Sequence, residues 1–87
     1  MAQRKTLLIV DDDPFVLGLL VHVAESRGLA VVGVASSDEA VAAAGTQPFG
    51  AAIVDLQLGA DSGLDVIKRL RALDPTLEAI EIGRAHV

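Results

Sequence analysis

An α/β protein built on a parallel sheet is the fold class this sequence predicts, and three observations carry the expectation. Short continuous apolar runs at residues 6–10, 30–34 and 51–54 have the length and composition of strands buried on both faces. They alternate with segments of helical character, and a β-α-β-α-β-α order calls for right-handed crossovers that lay the strands in parallel. The chain is 52% hydrophobic but only 2% aromatic, so its core must be assembled from Val, Leu, Ile and Ala.

Each element has its own local signals. The first run, Thr6 to Val10, is a strand that Asp11 terminates. Asp13-Pro14 is a helix start, with Asp as N-cap and Pro at the first helical position, where a missing N–H costs nothing. That helix is expected to run to about Arg27, with Gly28 past its end as a left-handed cap. Residues 30–34 form the second strand. Ser36 or Ser37 then caps a short Ala-rich helix from Asp38 to about Ala44, closed by Gly45, and Thr46-Gln47-Pro48 is loop. Residues 51–54 are a third strand delivering Asp55. A loop containing Gly59 leads to a helix from about Gly63 to Leu73, its apolar residues Leu64, Ile67 and Leu70 at helical spacing, and Asp74-Pro75 ends it.

Composition excludes several classes of function. With no cysteine there is no disulfide framework, thiolate metal site or thiol catalysis. A net charge of −5 argues against direct contact with nucleic acid. The apolar run near the start is too short for a signal peptide or a membrane span, so a cytoplasmic protein is expected. The first strand-to-helix turn lacks the glycines of a dinucleotide or phosphate-binding loop.

The chemistry lies in aspartates. Asp11, Asp12 and Asp13 end the first strand and Asp55 ends the third, and in an open parallel sheet the carboxyl ends of the strands form the ligand edge. Carboxylates gathered there repel one another unless some protonate or a cation binds. Mg²⁺ suits such a site, because it takes one or two carboxylates, keeps waters and accepts phosphate oxygens. A carboxylate beside it can act as a nucleophile toward a phosphoryl group. Structural roles compete: Asp13 is most simply a helix N-cap, Asp38 and Glu39 are first-turn acids set against the helix dipole, and His22 is an exposed polar residue. The repeated placement of acids at two strand ends is what favours a site.

The segments Leu7-Leu8-Ile9-Val10-Asp11-Asp12-Asp13 and Ala52-Ile53-Val54-Asp55-Leu56-Gln57-Leu58, with Gly63 eight residues past Asp55, resemble the receiver domain of two-component response regulators. The resemblance runs from Lys5 to about Ile80. It implies a flavodoxin-like doubly wound sheet in the order 2-1-3-4-5, with Asp55 as phosphoacceptor and Asp11 and Asp12 as the acidic pair for Mg²⁺. The main-chain carbonyl of Gln57 is implied as a further ligand. The implied donor is a phosphohistidine on a sensor histidine kinase or a phosphotransfer protein, docking on the first helix, where Leu17 and Val21 are candidate contacts and core packing is at least as good an explanation for some of them. Where the family often has Met-Pro after the phosphoacceptor, this chain has Leu58-Gly59, which bears on the stiffness of that loop.

Two alternatives accompany this reading. A phosphatase of the haloacid dehalogenase type would use Asp11 and Asp13 as nucleophile and acid. A truncated fragment would have no function of its own. The second arises because the family places Ser or Thr after its fourth strand and Lys after its fifth, and residues 81–87 contain none of these. Back-translated, that heptapeptide is similar to a sequencing-library adapter. Residues 1–80 are therefore expected to be a partial receiver domain and residues 81–87 a non-native tail, to be set aside from fold reasoning.

Overall fold

The computed structural model describes residues 6–59 and 61–83. Residues 84–87 of the heptapeptide, including His86, lie outside the described residues. The core of the fold is a four-stranded parallel sheet in which the first strand lies between the second and the third, and the last strand lies beyond the third. Its strands are β1 (Thr6–Val10), β2 (Val31–Val34), β3 (Phe49–Asp55) and β6 (Glu78–Ile82). Helices α1 (Pro14–Ser26), α2 (Ser37–Thr46) and α3 (Gly63–Leu73) make the crossovers, and β4 (Gln57–Leu58) with β5 (Asp61–Ser62) forms a two-residue antiparallel ladder.

Alternation along the strands sorts the sheet into two faces. Leu8, Val10, Ala52 and Val54 point to the side where Ala40 of α2 and Val66, Ile67 and Leu70 of α3 complete a core, with Leu58 and Leu77 closing its ends. On the opposite side Ile9 is buried, and α1 lies close to β2: a Cβ on Gly33 would stand 2.9 Å from Val21 Cγ2 and 3.1 Å from Leu17 Cδ1. Leu17 and Val21, candidate docking contacts by resemblance, are thus packed against the sheet. The apolar residues that α1 turns outward are Phe15, Leu19 and Val23.

The helix starts follow from their caps. Asp13 accepts the N–H groups of Phe15 (2.9 Å) and Val16 (3.3 Å), and Pro14 takes the first helical position. Ser36 accepts from Glu39 N–H at 3.1 Å while the Glu39 carboxylate accepts from Ala35 N–H at 2.9 Å, a reciprocal arrangement close to the capping box. Gly28 has a φ of 81° where the chain leaves α1, the expected left-handed exit.

The structure departs from the sequence reading at several points. Gly45 does not close α2, which continues to Thr46 and stops at Gln47. β3 begins at Phe49, because Thr6 of β1 pairs there across an irregularity in register, a long-range contact with no local signature. The loop after Asp55 contains the β4–β5 ladder. Finally, Glu81 and Ile82 continue β6 and pair with Val54 and Asp55, so the fourth-strand stub that the sequence allows around Leu77 to Ile82 is formed, two residues into the heptapeptide. β6 therefore covers the edge that β3 would otherwise present, although Ile80 on its α1-side face remains 58% exposed.

Candidate functional site

The register of the sheet makes the site. β1 and β3 are neighbours, with Val10 level with Val54, so Asp11 and Asp55 emerge side by side at the carboxyl edge. Both are only 4% exposed, whereas Asp12 is open to solvent. One carboxylate oxygen from each of Asp11, Asp12 and Asp55 lies within 4.8 Å of the other two. Main-chain donors orient two of them: Asp13 N–H reaches Asp11 Oδ1 at 2.9 Å, and Gln57 N–H reaches Asp55 Oδ1 at 3.3 Å. Each carboxylate thus binds the turn that follows its own strand, fixing the side chain as the chain leaves the sheet.

Asp13 is not a member of this cluster. Its carboxylate caps α1, the structural role its position before Pro14 predicts, and the pairing of Asp11 with Asp13 as nucleophile and acid is not what the fold assembles. The Gln57 side chain is exposed, and its residue opens β4 two positions beyond Asp55. The sequence reading missed Ser62, whose hydroxyl accepts from Leu64 N–H at 3.1 Å and starts α3. The Ser-Gly pair ahead of an amphipathic run was the available signal.

Three carboxylates this close, two of them buried, form a hard-oxygen donor set. A small divalent cation, with water completing its shell, suits them, and a phosphoryl oxygen is the natural additional ligand for such an ion. The donor chemistry therefore fits a divalent metal. Among the described residues no helix is long and apolar enough to cross a membrane.

A parallel, doubly wound sheet whose two central strands end in buried aspartates, with a third carboxylate beside them, defines a flavodoxin-like protein with an acidic cation pocket on its ligand edge. This chain belongs to the response regulator receiver domain family, whose profile matches residues 7–86. It is 49% identical over 67 residues to the acid tolerance regulatory protein ActR of Sinorhizobium medicae, an alignment covering 77% of this chain and 34% of that protein. Among solved structures, a response regulator from Burkholderia pseudomallei carrying a phosphorylated aspartic acid, a calcium ion and citrate superposes with a TM-score of 0.86 at 37% identity, over 95% of this chain and 49% of that one. A receiver protein from Pseudomonas putida gives a TM-score of 0.89 at 31% identity, over 100% and 74% respectively. The chain thus spans about a third of the length of the curated relative. The protein is a receiver domain of two-component signalling, and the order β2-β1-β3-β6 corresponds to the first four positions of the order the resemblance implied.

Proposed function

We propose that Asp55 is the phosphoacceptor of a phosphorelay, and that Asp11, Asp12 and Asp55 with the main-chain carbonyl of Gln57 hold Mg²⁺. The observation that carries this reading is the convergence of three carboxylates within 4.8 Å at the ends of β1 and β3. In the transfer, a carboxylate oxygen of Asp55 forms a bond to phosphorus as the nitrogen–phosphorus bond of a donor phosphohistidine breaks, and the imidazole leaves with the bonding pair. Gln57 N–H holds the other end of this chemistry still by binding Asp55 Oδ1. When bound, the cation offsets the charge on the transferring phosphoryl oxygens. Asp11, tied to Asp13 N–H, and exposed Asp12 supply the remaining negative donors.

The donor is a sensor histidine kinase or a histidine phosphotransfer protein. Phe15, Leu19 and Val23 support docking on α1, since they recur every four residues along its outer side and Phe15 begins beside the acidic edge. The domain acts as a signalling acceptor in the cytoplasm and not as an enzyme with a separate substrate. We take residues 1–80 as the receiver segment, with β6 running two residues into the heptapeptide. The composition of residues 81–87, without the family's Ser, Thr or Lys, supports an origin for them outside the receiver, and resequencing the source DNA across these codons tests that.

Incubation of the full chain with Mg²⁺ and acetyl phosphate, followed by mass spectrometric mapping, tests the assignment. One phosphoryl group on Asp55, absent from Asp55→Asn, is the expected result. Label on Asp11 would instead identify phosphatase-type chemistry.

A further inference from the structure

The segment between Asp55 and Gly63 is a closed arch. At its base Gly63 N–H donates to the Leu56 carbonyl at 2.8 Å, and Leu56 N–H donates to the Ile82 carbonyl at 3.1 Å. Its legs are the β4–β5 ladder, with Gln57 opposite Ser62 and Leu58 opposite Asp61. Leu58 is 5% exposed and packed in the core with Val66 and Ile67, which anchors the arch from beneath. Gly59, following Leu58, has a φ of 58°. That is the left-handed region, where an L side chain costs roughly 1–2 kcal/mol. A Cβ added there would stand 3.8 Å from Asp12 Oδ2, in van der Waals contact with it.

Proline, with φ fixed near about −65°, cannot adopt this conformation. The ladder and the buried Leu58 therefore supply the stiffness that a ring would give in its place. What Gly59 contributes is an unobstructed flank for Asp12. Mg²⁺ dehydrates reluctantly and keeps several of its waters, so its carboxylate ligands need free space around them as well as charge. A methyl group in contact with Asp12 Oδ2 would fill part of that space.

We propose that Gly59 is a positioning residue for the acidic pocket, its bare backbone keeping one side of the Asp12 carboxylate open to a hydrated divalent cation. The inference rests on reading the pocket as a cation site.

The test is Mg²⁺ affinity by titration calorimetry on the full chain, with thermal melting in parallel, for wild type, Gly59→Ala, Gly59→Asn and Gly28→Ala. Gly28 is the matched control: its φ is 81° and a Cβ there meets nothing within 4 Å, so alanine imposes a similar backbone cost away from the pocket. Gly59→Ala is expected to weaken Mg²⁺ binding about tenfold, the lower end of what outer-shell groups of metal sites are worth. Gly28→Ala should lower the melting temperature and leave affinity unchanged. Asn tolerates left-handed backbone, so Gly59→Asn should recover much of the melting loss while affinity stays low. Equal Mg²⁺ affinities for the Gly59 and Gly28 variants would overturn the role of Gly59 and leave the cation site standing. Absence of Mg²⁺ binding by wild type would overturn both.

Discussion

Gly63 lies against the peptide that carries Asp55: a Cβ built on it would fall 2.8 Å from Leu56 Cα and 2.9 Å from the carbonyl carbon of Asp55. The obstacles are backbone atoms of a strand end already hydrogen-bonded to β6, so neither partner can move aside cheaply. The first turn of α3 is thereby seated directly on the corner that aims the proposed phosphoacceptor. Gly63→Ala is expected to destabilise the fold by about 1–3 kcal/mol, the usual cost of overpacking. Thermal melting of the full chain checks this, and an unchanged midpoint would show that the corner is softer than its geometry indicates.

Asp13 separates capping from chemistry. Asp13→Ala removes the side chain that accepts from Phe15 and Val16, for an expected loss of about 1 kcal/mol by denaturant unfolding. Phosphorylation of Asp55 by acetyl phosphate should persist in this variant. Complete loss of labelling would restore Asp13 to the chemical machinery.

Cation binding should appear as stability. At a free Mg²⁺ concentration about a hundredfold above Kd, the wild-type fold gains about 2.7 kcal/mol if the unfolded chain binds none. Asp12→Asn, which removes one of the three charges within 4.8 Å, should abolish most of that gain. Melting with and without Mg²⁺ measures both quantities, and an undiminished Mg²⁺ response in the variant would exclude Asp12 as a ligand.

Phe15 is 79% exposed, so Phe15→Ala has little burial to lose, and its stability should stay within about 0.5 kcal/mol of wild type. If α1 is the docking surface, Phe15→Ala and Leu19→Ala should slow phosphotransfer from a histidine donor protein yet leave labelling by acetyl phosphate intact. Parallel slowing with both donors would place the effect in the pocket instead of the interface.

The parts of this molecule legible in its sequence are those governed by local chemistry. Pro14 and Gly63 open their helices as predicted, and Gly28 exits α1 left-handed because only the immediate backbone decides these positions. Asp11 and Asp55 could be paired in advance because strand ends in a parallel sheet share one edge. Other features were not legible, some because distant partners set them and some because their local signal was misleading or too short. Gly45 reads as a stop, but α2 continues through it, with Gln47 N–H bonded to the Ala43 carbonyl. The extension of β3 back to Phe49 depends on Thr6, and the close packing of Leu17 and Val21 against the sheet, one of two roles the sequence allows them, is fixed by the absent side chain of Gly33. The β4–β5 ladder escaped notice because each of its strands has only two residues, too few for any alternation to register.

The central position of β1 has a consequence for how the protein is made. Its partner β2 follows within some twenty residues, but β3 does not emerge until Phe49–Asp55 has been translated. At about 5–20 residues per second, the nascent β1 waits seconds with one side of its ladder vacant. Asp11 and Asp12 spend that interval apart from Asp55, and the mutual repulsion of the three carboxylates begins only when β3 docks. Strand pairing and charge crowding therefore arrive in a single late step, and a cation present during synthesis would ease it.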